Sequence, residues 1–190
     1  MDLLIKNARI IDPDGPHHGP SRDLLIRDGR IDAVGEDIEA SGVPRVEGEQ
    51  LCVSAGWMDI GVQAGDPGFE HRENLRSAAA AAAAGGFTAI ACQPNTAPAL
   101  HSKSEVLYIL NSSRGQLVDC YPIGAISMDC AGGEITEMID MHNAGALAFS
   151  DGKKPLQHDG LMMRALLYVK AFGGLVINQP LDLEIDNGGQ

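Results

Sequence analysis

Asn74-Leu75-Arg76-Ser77 leads into seven consecutive alanines, Ala78 to Ala84, which stop at Gly85-Gly86 and give way to Phe87-Thr88-Ala89-Ile90-Ala91-Cys92. Alanine has the highest helix propensity of any residue, and the glycine pair supplies a left-handed stop after the helix. The stretch therefore reads as helix, stop, strand, with the alanine run forming a slim helix face that lies close on a sheet. The same alternation extends on both sides. Strand candidates are Trp57 to Val62, Phe87 to Cys92, Val118 to Ile126, Ala146 to Phe149 and Leu175 to Asn178. Helix candidates between them are Asn74 to Ala84, Ser104 to Ser112, Ile135 to Asn143 and Gly160 to Ala171. Such alternation predicts right-handed βαβ units and a parallel sheet, either an open doubly wound sheet or part of a (β/α)8 barrel. A complete barrel takes roughly 250 residues. The chain has 190, so a barrel reading expects only about the first five of eight units.

Residues 1–54 follow a different rhythm. Leu3 to Ile11, Asp23 to Ile26 and Arg30 to Val34 are short apolar runs separated by Asp12-Pro13-Asp14-Gly15 and by Asp28-Gly29. Asp-Gly between apolar runs is a strong hairpin signal, so this part reads as a small antiparallel, β-sandwich-like unit preceding the α/β part at 55–190.

The net charge of −12 and pI near 4.7 repel polyphosphate backbones, which argues against nucleic acid as a partner. No eighteen apolar residues run together, and Met1-Asp2-Leu3-Leu4-Ile5-Lys6 does not open like a signal peptide; the expectation is no membrane span and a cytoplasmic location. Cys52, Cys92, Cys120 and Cys130 form no CxxC pair and mostly sit in apolar runs, so they read as buried free thiols and not as a zinc site.

In parallel α/β architectures chemistry collects at the carboxyl ends of strands. There the chain carries Asp59-Ile60-Gly61-Val62-Gln63-Ala64-Gly65-Asp66-Pro67-Gly68, then Gln93-Pro94-Asn95-Thr96, Ser150-Asp151-Gly152 and Asn178-Gln179-Pro180. The stretch Ala55 to Gln63 resembles the amidohydrolase pattern P-G-[FW]-[IM]-D-x-H-x-H. Asp66-Pro67-Gly68, Gly85-Gly86-Phe87-Thr88, Gln93-Pro94-Asn95-Thr96 and Phe149-Ser150-Asp151-Gly152-Lys153 are similar to the E-P-G, G-G-[FY]-T, M-P-N-T and F-[ST]-D-D-G of dihydroorotases. Gly160-Leu161-Met162 with Arg164-Ala165-Leu166 is similar to a helix of the same family. The ordered set, from Leu3 to Ile177, resembles a dihydroorotase more than a hydantoinase because of Pro94-Asn95-Thr96.

This resemblance implies an amidohydrolase-type TIM barrel and a zinc-dependent hydrolase that interconverts carbamoyl aspartate and dihydroorotate in pyrimidine synthesis. It also implies two histidines on the first barrel strand, a bridging carboxylate or carbamylated lysine, and further histidines holding the metal. An arginine after that strand and the asparagine of P-N-T would bind the substrate carboxylate. The chain departs from the pattern at these positions. Gly61 and Gln63 occupy the H-x-H sites, Gly65 the arginine site, and Gln179 a later histidine site, while Asn95 and Asp151 match. Glycine has no donor and a glutamine amide is a poor one for zinc, so no bound metal is expected. If metal were present, Asp151 is the remaining ligand candidate.

Each remaining residue has an ordinary alternative. Asp151 reads as a vestigial metal bridge or, preferably, as a Ser-Asp-Gly turn; Asn95 reads equally as a carboxylate binder or a loop residue that caps backbone. Asp59 reads as a structural carboxylate on a buried strand. His17 and His18 read as a solvated loop, and His71, His101, His142 and His158 lie away from strand ends. Ser54, Ser127, Ser150 and Cys92 have no arrangement suggesting a nucleophile. Three functions compete. The first is a non-catalytic dihydroorotase homologue, for which the resemblance implies aspartate transcarbamoylase as partner in a homo- or hetero-oligomer. The second is an active zinc dihydroorotase using Asp151 and Asn95, and the third, ranked last, is a ligand sensor built on Asn95.

Overall fold

A computed structural model describes residues 2–182 and 185. The chain separates into two compact units, Met1–Ala55 and Gly56–Gln190.

The first unit is one five-stranded sheet built from β1 (Leu3–Ile11), β2 (Ser21–Arg27), β3 (Arg30–Gly35), β4 (Arg45–Val46) and β5 (Cys52–Ser54). Asp28 and Gly29 both take positive φ, 49° and 74°, the conformation a two-residue hairpin needs, and so join β2 to β3. β1 pairs antiparallel with β2 but parallel with both β4 and β5, so the sheet is mixed where the sequence suggested purely antiparallel pairing. Strands of two and three residues leave no periodicity to read. Asn7 (φ 48°) interrupts the β1–β2 register, and the kink is matched by Asp23, which is buried. Its carboxylate accepts hydrogen bonds from Lys6 Nζ at 2.6 Å, Asn7 N at 2.9 Å and Ile38 N at 3.0 Å. Burial alone would raise this carboxyl's pKa, but the Lys6 ammonium and the two amides hold it below the usual range.

The second unit carries β6 (Trp57–Val62), α1 (Leu75–Ala84), β7 (Phe87–Cys92), α2 (Lys103–Ser112), β8 (Asp119–Gly124), α3 (Met138–Ala144), β9 (Ala148–Phe149) and α4 (Asp159–Lys170). The strands are parallel in the order β6-β7-β8-β9. A doubly wound sheet reverses its strand order at a switch point. The sequential order here is that of a curling barrel wall, and the unit is an α/β half-barrel.

Local chemistry sets the helix ends. Asn74 caps α1 by accepting from Ser77 N at 2.9 Å, and the left-handed stop falls on Gly86 (φ 84°), one residue beyond the C-cap Gly85. Ser102 and Glu105 form the capping box of α2. Ala78 and Ala79 pack into a core with Leu75, Ile90, Leu100 and Ile109, the close helix–sheet contact that a slim face permits. A second core joins Ile126, Met138, Met141, Phe149, Ala165 and Val169.

Four expectations need correction. α3 begins at Met138, not Ile135, because Ile135 bridges Ser127 and the Thr136 hydroxyl donates to Ala125 O at 2.7 Å, which holds those residues extended. The fifth strand, Leu175 to Asn178, reduces to a parallel bridge of Val176 to Phe149, with Phe149 N donating to Leu175 O and Ile177 N to Phe149 O. Asp59 is exposed, not buried, since β6 has a strand neighbour on one side only, and its carboxylate accepts from Gly61 N at 3.0 Å. Cys52 is likewise exposed, whereas Cys92, Cys120 and Cys130 are buried free thiols. Trp57 and Ile60 on β6 and Met163 and Leu167 on α4 are 60% exposed or more. No helix among the described residues is long and apolar enough to cross a membrane.

Candidate functional site at the barrel mouth

The parallel order brings the segments after β6, β7, β8 and β9 to one end of the sheet. After β6, Gly61 is exposed and Gln63 half-buried. Gly65 holds φ at +71°, and a Cβ there would stand 2.6 Å from Glu73 O and 3.1 Å from Phe69 O. Backbone fills the space an arginine side chain would leave through, so this loop is shaped for glycine. Asp66 is drawn away from the mouth: its carboxylate accepts from Tyr108 Oη at 2.7 Å, a bond that raises the Tyr108 pKa.

After β7, Gln93 N donates to Val62 O at 2.9 Å and its Nε2 reaches Ile60 O at 3.4 Å. Gln93 Oε1 is buried and has no hydrogen-bond partner among the described residues. Two residues on, Asn95 is half-buried and both ends of its amide are in use. Nδ2 donates to Asp151 O at 3.0 Å, and Oδ1 accepts from Lys153 N at 3.0 Å. Between these contacts lies Gly152 at φ +64°, where a Cβ would run into Asn95 Oδ1.

Ser150-Asp151-Gly152 does form a turn, with Lys154 N donating to Asp151 O at 3.3 Å and Gly152 N to Ser150 Oγ at 2.9 Å, and the Asp151 side chain within it is buried, 2% exposed. Its Oδ1 accepts from Ile126 N and Ser127 N, each at 2.9 Å, and its Oδ2 from the Ser127 hydroxyl. That hydroxyl in turn accepts from Gly132 N at 2.7 Å. A buried carboxyl group needs such partners, and here it finds them after β8. The 3-10 turn Met128–Cys130 beside it holds Asp129 and Cys130 at φ 55° and 51°, conformations that cost non-glycine residues of order 1 kcal/mol each. Burial, with the Asp151 charge adding to it, pushes the Cys130 thiol up to about 12, so it is an inert thiol at neutral pH. A cavity of about 720 Å³ opens between the β8 and β9 loops, lined by Cys130, Gly132, Asp151, Lys153, Lys154 and His158 among others.

The histidines do other work. His158 caps α4, its Nδ1 accepting from Leu161 N at 3.2 Å. His101 Nδ1 accepts from Asp129 N at 3.1 Å, His142 stacks on Phe172 at 4.6 Å, and His18 Nδ1 accepts from Asp12 N at 3.1 Å. His71 lies edge-on to Phe69 at 6.5 Å. Gln179 is exposed, and the neighbouring Asn178 accepts from Leu156 N at 3.3 Å.

The zinc that the sequence resemblance implies does not fit these residues. Among the described residues no three His, Cys, Asp or Glu side chains cluster as a metal site. Both Asp151 oxygens are taken by hydrogen bonds, and the orphan acceptor Gln93 Oε1 is a neutral amide oxygen, a weak donor for zinc. The structure thus brings Asn95 and Asp151 together. Sequence reasoning missed Ser127 and Gly152. The second had a signal, since Asp151-Gly152-Lys153 stands where F-[ST]-D-D-G has a second aspartate.

Residues 50–189 match the family model described as dihydro-orotase-like. Over its full length the chain is 38% identical to a dihydroorotase of Syntrophotalea carbinolica, of which it covers 44%. It is 40% identical to that of Acetivibrio thermocellus over 98% of the chain and 44% of that protein. The chain therefore spans less than half the length of the curated relatives it matches. Among solved structures, a D-hydantoinase is 25% identical with a TM-score of 0.71, matched over 93% of this chain and 39% of that one. A dihydroorotase crystal structure, 14% identical with a TM-score of 0.61 over 94% of this chain and 52% of that one, shares the fold.

Proposed function

The chain belongs to the dihydroorotase-like family, and from that premise we propose that it is a non-catalytic member whose part in pyrimidine biosynthesis is structural. Its partner in this reading is aspartate transcarbamoylase, and association would cover apolar surface such as Trp57, Ile60, Met163 and Leu167.

One observation carries the reading. The positions where the family pattern has H-x-H hold Gly61 and Gln63, and the matching carboxylate, Asp151, is committed to Ile126 N, Ser127 N and the Ser127 hydroxyl. Hydrolysis of a cyclic amide in this family requires an activated hydroxide. Without imidazoles, no cluster among the described residues at the mouth seats the ion that would lower the pKa of water. Asn95, the residue matching the family's carboxylate binder, spends both amide ends on the β9 loop.

Carbamoyl aspartate cyclisation should be undetectable with purified protein supplied with zinc, metal analysis should find no stoichiometric ion, and the protein should co-migrate with aspartate transcarbamoylase in size-exclusion chromatography at micromolar concentration. Turnover with bound zinc would establish an active dihydroorotase instead. Absence of co-migration would remove the transcarbamoylase from the reading.

A further inference from the structure

Asn95, Ser127 and Asp151 come from the ends of three different strands, yet they form one connected hydrogen-bonded set through their side chains and neighbouring backbone, with Gly152 packed against Asn95. Asn95, after β7, clamps the backbone of residues 151 and 153. Asp151, after β9, clamps the backbone of 126 and 127, after β8. Ser127 closes the set by donating to Asp151 and accepting from Gly132 N. We infer that this set is a metal-independent brace across the strand ends, that Gly152 is the residue that permits it, and that its closure keeps zinc out even when imidazole is supplied. The inference rests on the non-catalytic reading above and deepens it.

The case for Gly152 is steric. Its φ of +64° suits glycine, and any Cβ there collides with the Asn95 carbonyl oxygen while that oxygen accepts from Lys153 N. The family's second aspartate could not stand at this position with Asn95 where it is. Gly65 makes the same point at the neighbouring loop, where Glu73 O and Phe69 O occupy the exit of a side chain. Each of these two departures from the family pattern is therefore fitted to its own neighbours, Gly152 to Asn95 and Gly65 to the backbone of Phe69 and Glu73. A carboxylate already saturated by two amides and a hydroxyl must surrender those buried bonds to bind a metal, and the freed amides would be left unpaired.

A double-mutant cycle tests the brace. Gly152→Ala should lower the thermal midpoint of the full chain by roughly 6–10 °C, and by less than half as much in an Asn95→Ala background, where the collision is gone and only the φ strain remains. Equal losses in both backgrounds would overturn the brace. If Gly152→Ala does not fold, amide exchange decides: Asn95→Ala should lose protection at the Lys153 amide, and unchanged protection there contradicts the inference. In parallel, Gly61→His with Gln63→His should retain only substoichiometric zinc after gel filtration. Stoichiometric zinc in that variant, lost again on adding Asp151→Asn, would overturn the closure while leaving the non-catalytic reading intact. Zinc in the unmodified protein would overturn that reading itself.

Discussion

Among the described residues each unit buries one carboxylate that accepts three hydrogen bonds, and the two differ in what faces it. Asp23 in the β-unit is met by the Lys6 ammonium and two amides. Asp151 in the half-barrel is met by two amides and a hydroxyl, and among the described residues it enters no ion pair. In the function proposed above, these neutral dipoles stand where the family resemblance implies a metal cation. The comparison teaches that a carboxylate can be buried without a facing ammonium if backbone donors are aimed at it.

The largest expected effect separates the two sites directly. Asp151→Ala strands two amides and a hydroxyl in a buried setting and should cost about 3 kcal/mol in denaturant unfolding. Asp23→Ala should cost less, about 2 kcal/mol, because its amides lie nearer the surface and Lys6 can turn to water or to Glu39, 3.8 Å away. A reversed order would mean that the ion pair, and not the neutral set, is the stronger anchor. Asn95→Ala should cost about 1 kcal/mol, the loss of two ordinary hydrogen bonds at a half-buried position.

Acid distinguishes the carboxylates further. The Asp23 carboxyl is held below its ordinary value in the folded chain, so the stability it adds is present above about pH 4 and is lost as the pH falls through the lower folded value. The stability gap between the unmodified chain and Asp23→Asn should therefore narrow between about pH 5 and pH 2 in urea titrations. A gap independent of pH would show that Asp23 contributes no charge-linked stability.

How much of this was legible in the sequence depended on the range of the interactions involved. Trp57–Val62 and Phe87–Cys92 could be read to the residue because the glycine pair and the alanine helix punctuate them locally. The alternation alone left the strand order open, since open and barrel sheets share it, and it was the motif resemblance that pointed to a barrel. β4 and β5 are too short to carry a pattern, and Ile135 and Thr136 look helical until their pairing with residues 125–127 is seen. At the site, the departures at Gly61, Gln63 and Gly65 were visible as residue types. The burial of Asp151 was not, because its partners Ile126 and Ser127 lie more than twenty residues earlier, and turn chemistry speaks only of neighbours. Gly152 carried a local signal, the missing second aspartate, but its meaning required Asn95 to be placed beside it in space.

The most direct test of a mouth closed on itself is a thermal melt of the purified chain with excess zinc and again with a chelator. A metal that binds only the folded state at a hundred times its dissociation constant adds about 2.7 kcal/mol, and 1 kcal/mol moves the midpoint of a chain this size by roughly 2–4 °C. The two curves should superimpose. A zinc-dependent rise of roughly 5–10 °C that disappears in Asp151→Asn would contradict the account.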